Sequence, residues 1–125
     1  MATVLDHTIV HALDQDQSAQ WYSRILGFEN VGRMGPFSAA RVNDDFVMDF
    51  LSSEDVRPMH YAFAMDRQEF EDAFTRIKDE GIPYGDGPFD LENMKGPGMT
   101  AGAKGQGKAV YFKDPSGHVL EIKNY

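Results

Sequence analysis

The chain has 125 residues, a length that suits one domain or two small repeated modules. Lys and Arg total 12 against 20 Asp and Glu, and this net charge of −8 argues against nucleic acid and membrane surfaces as partners. The sequence contains no cysteine, which excludes disulfides, thiolate metal sites and a cysteine nucleophile, so a bound metal would be held by His and carboxylate groups.

The remaining composition is that of an ordinary folded protein, with 42% apolar and 26% charged residues. No apolar run approaches the ~20 residues that a membrane-spanning helix needs. No basic start followed by an apolar block is visible either, so we expect a soluble protein of the cytoplasm.

The first half of the chain predicts elements in the order β-α-β-β-β. A short strand over residues 5–12 comes first, and the acidic stretch 14–17 then begins a helix. Apolar residues recur at helical spacing up to Gly27, a residue type that commonly ends helices. Three short strands follow, separated by Gly-Pro and Asn-Asp-Asp turns, over residues 28–33, 37–42 and 45–51.

The second half repeats this order, which predicts an α+β fold of two βαβββ modules at about 4–52 and 59–125 within one domain. Asp66, with Glu69 three positions later, predicts a capping box at the start of an amphipathic helix that ends at Gly81. The insert 87–107 is Gly-rich and has no periodicity, and we interpret it either as a lid or substrate-binding loop or as a flexible loop. Strands are predicted over residues 60–65, 82–86, 109–113 and 118–124.

Alternation along the predicted strands sorts polar residues onto one face of each sheet. In residues 45–51, bulky apolar side chains alternate with a set that includes Asp49. In the last strand of the second half, Glu121 lies on the face opposite the core residues of that strand. Each half also has a histidine near the start of its first strand, His7 in the first half and His60 in the second. Two His and two carboxylates at matching positions of a duplicated unit have the composition of a divalent metal site.

These motifs together resemble the vicinal oxygen chelate superfamily, which includes glyoxalase I, fosfomycin-resistance thiol transferases, bleomycin-binding proteins and extradiol dioxygenases. The segments that carry the resemblance are LDHTIV with His7, WYSRILGFE in the first helix, HYAFAM with His60, and YFKDPSGHVLEI with Glu121. The last is the most specific, because Asp-Pro-x-Gly-His followed by an apolar-Glu-apolar triplet is typical of the family's terminal hairpin. The resemblance covers essentially the whole chain and implies glyoxalase-like modules whose mixed sheets curl around a metal-binding cavity.

The resemblance implies a metal site whose ligands are His7, His60 and Glu121. Each site would bind one divalent ion, which could be Ni, Co, Zn, Mn or Fe. Asp49 stands where glyoxalase I places a fourth ligand, and its side chain is one methylene shorter. Direct ligation by Asp49 and a water-mediated contact therefore both stay open. Many members of this length form homodimers in which two subunits share each site, and we expect the same here.

Two further residues are candidates for binding a small-molecule substrate. His11 lies on the same face of the first strand as His7, roughly 13 Å along it, which suits either a substrate wall or a hydrogen-bonded rim residue. Tyr111 matches a cavity Tyr of the fosfomycin enzymes. Its neighbours on the strand are apolar and are expected to face the core, which places Tyr111 on the opposite face. The other fosfomycin-binding positions hold Ile9 and Ala109. His11 stands where bacterial glyoxalase I has the Arg that binds glutathione. The sequence therefore indicates neither fosfomycin nor glutathione as the substrate.

The sequence leaves three hypotheses for function. The one that we favour is a metal-dependent lyase or isomerase, in which a substrate with adjacent oxygens chelates the metal and a carboxylate, Glu121 or Asp49, moves a proton. An extradiol-type dioxygenase would use Fe(II) on the two-His-one-carboxylate set. A metal-free binding protein of the bleomycin-resistance type is the third, and the presence of His7, His60 and Glu121 argues against it.

Overall fold

The structure, a computed structural model, describes residues 2–125 and divides the chain into a first unit that ends at Arg57 and a second unit, Pro58–Tyr125. Each unit contains one long helix and one mixed sheet, of four strands in the first unit and five in the second. The α+β class predicted from the sequence is therefore confirmed. Neither helix within residues 2–125 is long and apolar enough to cross a membrane.

The first unit has the predicted order β-α-β-β-β. Its sheet has the strand order β1-β4-β3-β2, in which β1 runs parallel to β4 and the other neighbours are antiparallel. The elements are β1 (His7–Ala12), α1 (Gln15–Leu26), β2 (Glu29–Met34), β3 (Phe37–Arg41) and β4 (Val47–Ser52).

Both ends of α1 are determined by residues that the sequence indicates. The Asp14 carboxylate accepts a hydrogen bond from the Gln17 N–H at 3.1 Å and caps the first turn. Gly27 ends the helix at φ 79°, a left-handed conformation that glycine adopts at little cost. The helix then packs on the sheet through Tyr22, whose ring centroid lies 4.8 Å from that of Phe50, and both residues are fully buried.

The second unit repeats the pattern with one additional strand. Its sheet has the order β5-β9-β8-β6, with β5 parallel to β9, and a further strand, β7, also pairs with β8. The elements are β5 (His60–Ala64), α2 (Arg67–Asp79), β6 (Tyr84–Gly85), β7 (Gly98–Gly102), β8 (Gly105–Lys113) and β9 (Val119–Asn124).

The predicted capping box of α2 is present. The Glu69 N–H donates to the Asp66 carboxylate at 2.8 Å, and the Asp66 N–H donates to the Glu69 carboxylate at 3.1 Å. These two bonds satisfy backbone donors that the first turn of a helix leaves without intrahelical partners. Below the helix, β5, β8 and β9 supply alternate apolar side chains to a buried core that includes Phe63, Val110, Phe112, Leu120 and Ile122.

The prediction of a loop over residues 87–107 is wrong for its second half. Gly98–Gly102 form β7, and residues 105–107 belong to β8, so that a turn of Ala103 and Lys104 joins two paired strands. The segment lacks the apolar alternation by which strands are recognised, yet its backbone pairs normally, because a ladder needs only N–H and C=O groups. The predicted strand over residues 82–86 is correspondingly short.

The remaining part of this segment is packed against β6. The Met94 N–H donates to the Tyr84 carbonyl at 2.8 Å, and the Asn93 side chain donates to Asp86 at 2.8 Å. A Cβ atom added to Gly85 or Gly98 would collide with neighbouring backbone, which explains why glycine stands at both positions. The segment is therefore held by close backbone contacts within the second unit.

Candidate functional site

The second unit brings His60 and Glu121 together on the sheet face opposite α2; we use the name far face for the helix-free face of each sheet. In the parallel ladder of β5 and β9, Ala62 stands beside Glu121, and His60 lies two residues earlier on the same face. His60 Nε2 lies 3.1 Å from Glu121 Oε1. Glu121 is only 5% exposed, whereas His60 is exposed, so a buried carboxylate is paired with an accessible imidazole.

The geometry of this pair fits two ligands of one divalent metal ion. Bonds from such ions to His nitrogen and carboxylate oxygen measure about 2.0–2.2 Å. Two ligand atoms whose bonds meet at the ion at a right angle therefore lie about 3 Å apart. His60 Nε2 and Glu121 Oε1 have that separation. Within residues 2–125, Oε2 of Glu121 accepts no hydrogen bond, although the Lys123 ammonium forms an ion pair with it at 3.4 Å. A buried carboxylate whose charge is only partly compensated favours a cation at its other oxygen, Oε1.

Tyr111 lies directly opposite Glu121 in the ladder of β8 and β9, and its side chain is therefore also on the far face. Its ring is nearly parallel to the His60 imidazole, with an interplanar angle of 19° and 6.2 Å between the centroids. Its hydroxyl donates to Thr100 Oγ1 at 2.9 Å. Burial raises the pKa of the Tyr111 phenol, and the charge of Glu121 acts in the same direction, so the phenol is protonated at neutral pH.

Lys123 is part of the same group of side chains, although the sequence did not single it out. Its ammonium donates to the Thr100 carbonyl at 2.7 Å, to Thr100 Oγ1 at 3.0 Å and to the Gly107 carbonyl at 3.4 Å. It also lies 3.4 Å from Glu121 Oε2, and only 3% of the side chain is exposed. The available signal was its position two residues after Glu121 on one strand, which places both side chains on one face.

A pocket of about 190 Å³ begins at Glu121 and extends along the far face of the second unit. Its sheet surface is formed by the methyl groups of Ala62 and Ala64 together with Lys123, and the turn 101–104 and Tyr125 complete its walls. Because most of these side chains are small, the pocket leaves room for a small molecule beside the carboxylate.

The first unit presents His7 and Asp49 in an arrangement like that of the second. In the parallel ladder of β1 and β4, His7 pairs with Val47 and Ile9 pairs with Asp49, so His7 and Asp49 both lie on the far face. His7 Nδ1 lies 2.7 Å from an Asp6 carboxylate oxygen. This bond raises the pKa of His7, and the charges of Asp6 and Asp49 raise it further. Metal-binding histidines commonly hold one ring nitrogen on a carboxylate in this way and offer the other to the ion.

His11 lies near the C-terminal end of β1, whereas His7 begins that strand. It pairs with Leu51, is exposed, and shares the far face with His7, as the alternation along β1 requires. Its expected role as a substrate wall or rim residue stays a prediction.

Neither unit by itself gathers three His, Asp or Glu side chains into a metal-binding group within residues 2–125. The first unit supplies His7 and Asp49, and the second supplies His60 and Glu121, each pair on the far face of its own sheet. The set of four that the sequence suggests therefore stays a prediction.

Comparisons with known proteins agree with this architecture. Residues 4–122 match the family described as the Glyoxalase/Bleomycin resistance protein/Dioxygenase superfamily. A segment of 63 residues, 50% of this chain, is 30% identical to the metallothiol transferase FosB of Shouchella clausii (strain KSM-K16). That match spans 36% of the curated relative, so the chain covers about a third of its length.

Two solved structures are similar over essentially the whole chain. Oxidase ChaP-H1 is 37% identical, with a TM-score of 0.86, and the match covers 99% of this chain and 97% of that one. Oxidase ChaP-H2 is 33% identical, with a TM-score of 0.87, and the match covers 100% of this chain and 95% of that one.

Proposed function

Since the chain belongs to the glyoxalase/bleomycin resistance protein/dioxygenase superfamily, we propose that it is a metal-dependent enzyme that oxidises a small substrate with two adjacent oxygens, with dioxygen as the oxidant. The observation that carries this proposal is the full-length similarity to two proteins named as oxidases, at 33% and 37% identity. In this proposal His7, His60 and Glu121 hold the metal as a two-His-one-carboxylate set.

The donor set suits that chemistry. Three protein ligands on a six-coordinate ion leave three positions, enough for two substrate oxygens and dioxygen. Fe(II), when bound, would supply both a Lewis acid and the electrons that activate dioxygen. Two features of the structure support this assignment. His60 Nε2 and Glu121 Oε1 are separated by 3.1 Å, and a pocket begins at Glu121.

Tyr111 and His11 have supporting roles in this proposal. The Tyr111 ring lies alongside the His60 imidazole as part of the wall of the site, and its phenol donates a hydrogen bond to Thr100. His11, exposed on the far face of the first sheet, provides a wall for the substrate rather than a metal ligand.

Oxygen uptake tests the proposed reaction. The protein is loaded with Fe(II), catechol and substituted catechols serve as probes, and an oxygen electrode records consumption. We expect metal-dependent uptake that is lost in Glu121→Gln and retained in Glu92→Gln, a control at an exposed position of the same unit. Absence of uptake with every catechol, from protein shown to contain Fe(II), would contradict the assignment.

A lyase or isomerase is the second candidate, and the position of Asp49 favours it. Asp49 lies on the far face near enough to His7 for its charge to raise the pKa of that residue. With Asp49 as a fourth ligand, two positions would remain open, which suits a chelated hydroxy-carbonyl and proton transfer by a carboxylate. A large loss of metal affinity in Asp49→Asn would favour this candidate, and unchanged affinity would favour the oxidase.

We extend the proposal to a homodimer in which His7 and Asp49 of one subunit meet His60 and Glu121 of the other. Mixing tests this arrangement directly, because a heterodimer of His7→Ala and Glu121→Gln chains would regain one intact site and one doubly altered site. With random exchange of subunits, metal binding should return to about one quarter of the wild-type level. If each site belongs to a single chain, mixing restores nothing.

A further inference from the structure

The ammonium of Lys123 is buried directly beside the proposed metal ligand Glu121. Its Nζ lies 3.4 Å from Glu121 Oε2, and the side chain is 3% exposed. The other carboxylate oxygen, Oε1, lies 3.1 Å from His60 Nε2. The two oxygens of one carboxylate thus have different neighbours, a cation on one side and the second ligand on the other.

The surroundings of Lys123 determine where its ammonium lies. Three oxygens accept its hydrogen bonds, namely the Thr100 carbonyl, Thr100 Oγ1 and the Gly107 carbonyl. A Cβ atom on Gly102 would stand 2.8 Å from Lys123 Cδ and 2.9 Å from Cε, so the glycine makes room for the lysine stem. Thr100 Oγ1 is also the acceptor for the Tyr111 hydroxyl, which connects the ammonium to the ring beside His60.

We propose that Lys123 is a positioning residue for Glu121, which holds Oε2 so that the carboxylate meets the metal through Oε1 alone. This inference rests on the proposed metal site. If the carboxylate turned so that both oxygens reached the metal, Oε2 would leave the ammonium, and a nearly buried positive charge would lose its one ion-pair contact, which is costly. One-oxygen binding by Glu121 keeps a coordination position open for the substrate.

Two other roles for Lys123 make different predictions. A cation that acts only by its charge repels a divalent ion, so its removal would strengthen metal binding. A lysine that only anchors β7 through Thr100 would lower the stability of the fold when removed, with no effect on metal affinity. A positioning role predicts weaker binding, because a carboxylate without its partner must be ordered when the metal arrives.

The test compares Lys123→Met with Lys108→Met, a control that removes the same charge from an exposed position of the neighbouring strand. Co(II) affinity is measured by competition with a chelator, and the cobalt absorption spectrum is recorded at saturation. For Lys123→Met we expect affinity about 10–100-fold weaker than wild type and an altered spectrum, with neither change in the control. Unchanged or tighter binding in a folded Lys123→Met protein would overturn the proposal.

Thr100→Val provides a second test that does not depend on the folding of Lys123→Met. It removes the Oγ1 acceptor and leaves the Thr100 carbonyl in place, so we expect a several-fold loss of Co(II) affinity. A folded Thr100→Val protein with wild-type affinity and spectrum would overturn the proposal. Both measurements are independent of oxygen uptake, so a wild-type protein that binds Co(II) but consumes no oxygen would contradict only the proposed reaction.

Discussion

Replacing Phe50 with Ala should destabilise the protein by about 3–5 kcal/mol, because the Phe50 side chain is fully buried against α1. A buried Phe removes about 150–250 Å² from water, which at ~25 cal/mol per Å² corresponds to about 4–6 kcal/mol. The methyl group of Ala retains part of that burial. The prediction bears on function because the alternation that places Phe50 under the helix also places Asp49 on the far face.

Leu51→Ala is the matched control, since Leu51 is the next residue of β4, lies on the other face and is half-buried. Its expected cost is about 1–2 kcal/mol. Urea unfolding, followed by the fluorescence of the buried Trp21 in the first unit, gives the free energy of unfolding for each variant. If Leu51→Ala destabilises the protein as much as Phe50→Ala does, the alternation along β4 is wrong and Asp49 does not belong to the site.

Three further predictions concern other parts of the fold. Hydrogen bonds from Arg33 and Ser38 lower the pKa of Asp16 below 3.8, so the stabilisation that Asp16 provides is present above that pH and is lost as the pH falls through the folded-state pKa. Asp16→Asn should therefore flatten the acid side of the stability curve from thermal unfolding between about pH 2 and 6, and an unchanged acid side would contradict this. Burial raises the pKa of both Tyr61 and Tyr111, so Tyr111→Phe should reduce the part of the ultraviolet phenol titration with a midpoint above 10.0 by one tyrosine, and an undiminished amplitude there would contradict the burial of the Tyr111 phenol. Asp66→Ala should lose the capping box and about 1 kcal/mol of stability, whereas Asp79→Ala at the other end of α2 should not; equal losses would exclude a specific cap.

The elements that the sequence predicted correctly are those whose signals are local. The caps of α1 and α2 depend on Asp14, Gly27 and the pair Asp66 and Glu69, each within a few residues of the helix end that it stabilises. The face of each strand follows from alternation along a single segment, so the sequence alone is sufficient to place Asp49 on the far face.

The burial of Glu121 and Lys123 could not be predicted in the same way. Alternation places both side chains on the far face, but their surroundings depend on β7, a strand whose Gly-rich sequence has no apolar pattern. The contact of Lys123 with Thr100 joins residues 23 positions apart, and it exists only because both β7 and β9 pair with β8. Such contacts result from strand pairing and leave no periodic signal in the sequence.

The position of Tyr111 shows the same limit. Alternation placed it opposite its core neighbours, yet whether its hydroxyl would reach a polar partner depended on Thr100, in a segment predicted as a loop. Once β7 is recognised as a strand, the pairing of β8 with both β7 and β9 brings Thr100, Tyr111 and Glu121 onto one face.

Metal binding by Glu121→Gln tests the central claim most directly. The protein is purified without chelators and titrated with Co(II) or Fe(II), and metal content is determined after removal of unbound ion. Wild-type protein and the exposed-site control Glu92→Gln should retain about one metal ion per chain, whereas Glu121→Gln and His60→Ala should retain essentially none. Stoichiometric metal in both Glu121→Gln and His60→Ala would contradict the assigned site and, with it, the proposed function.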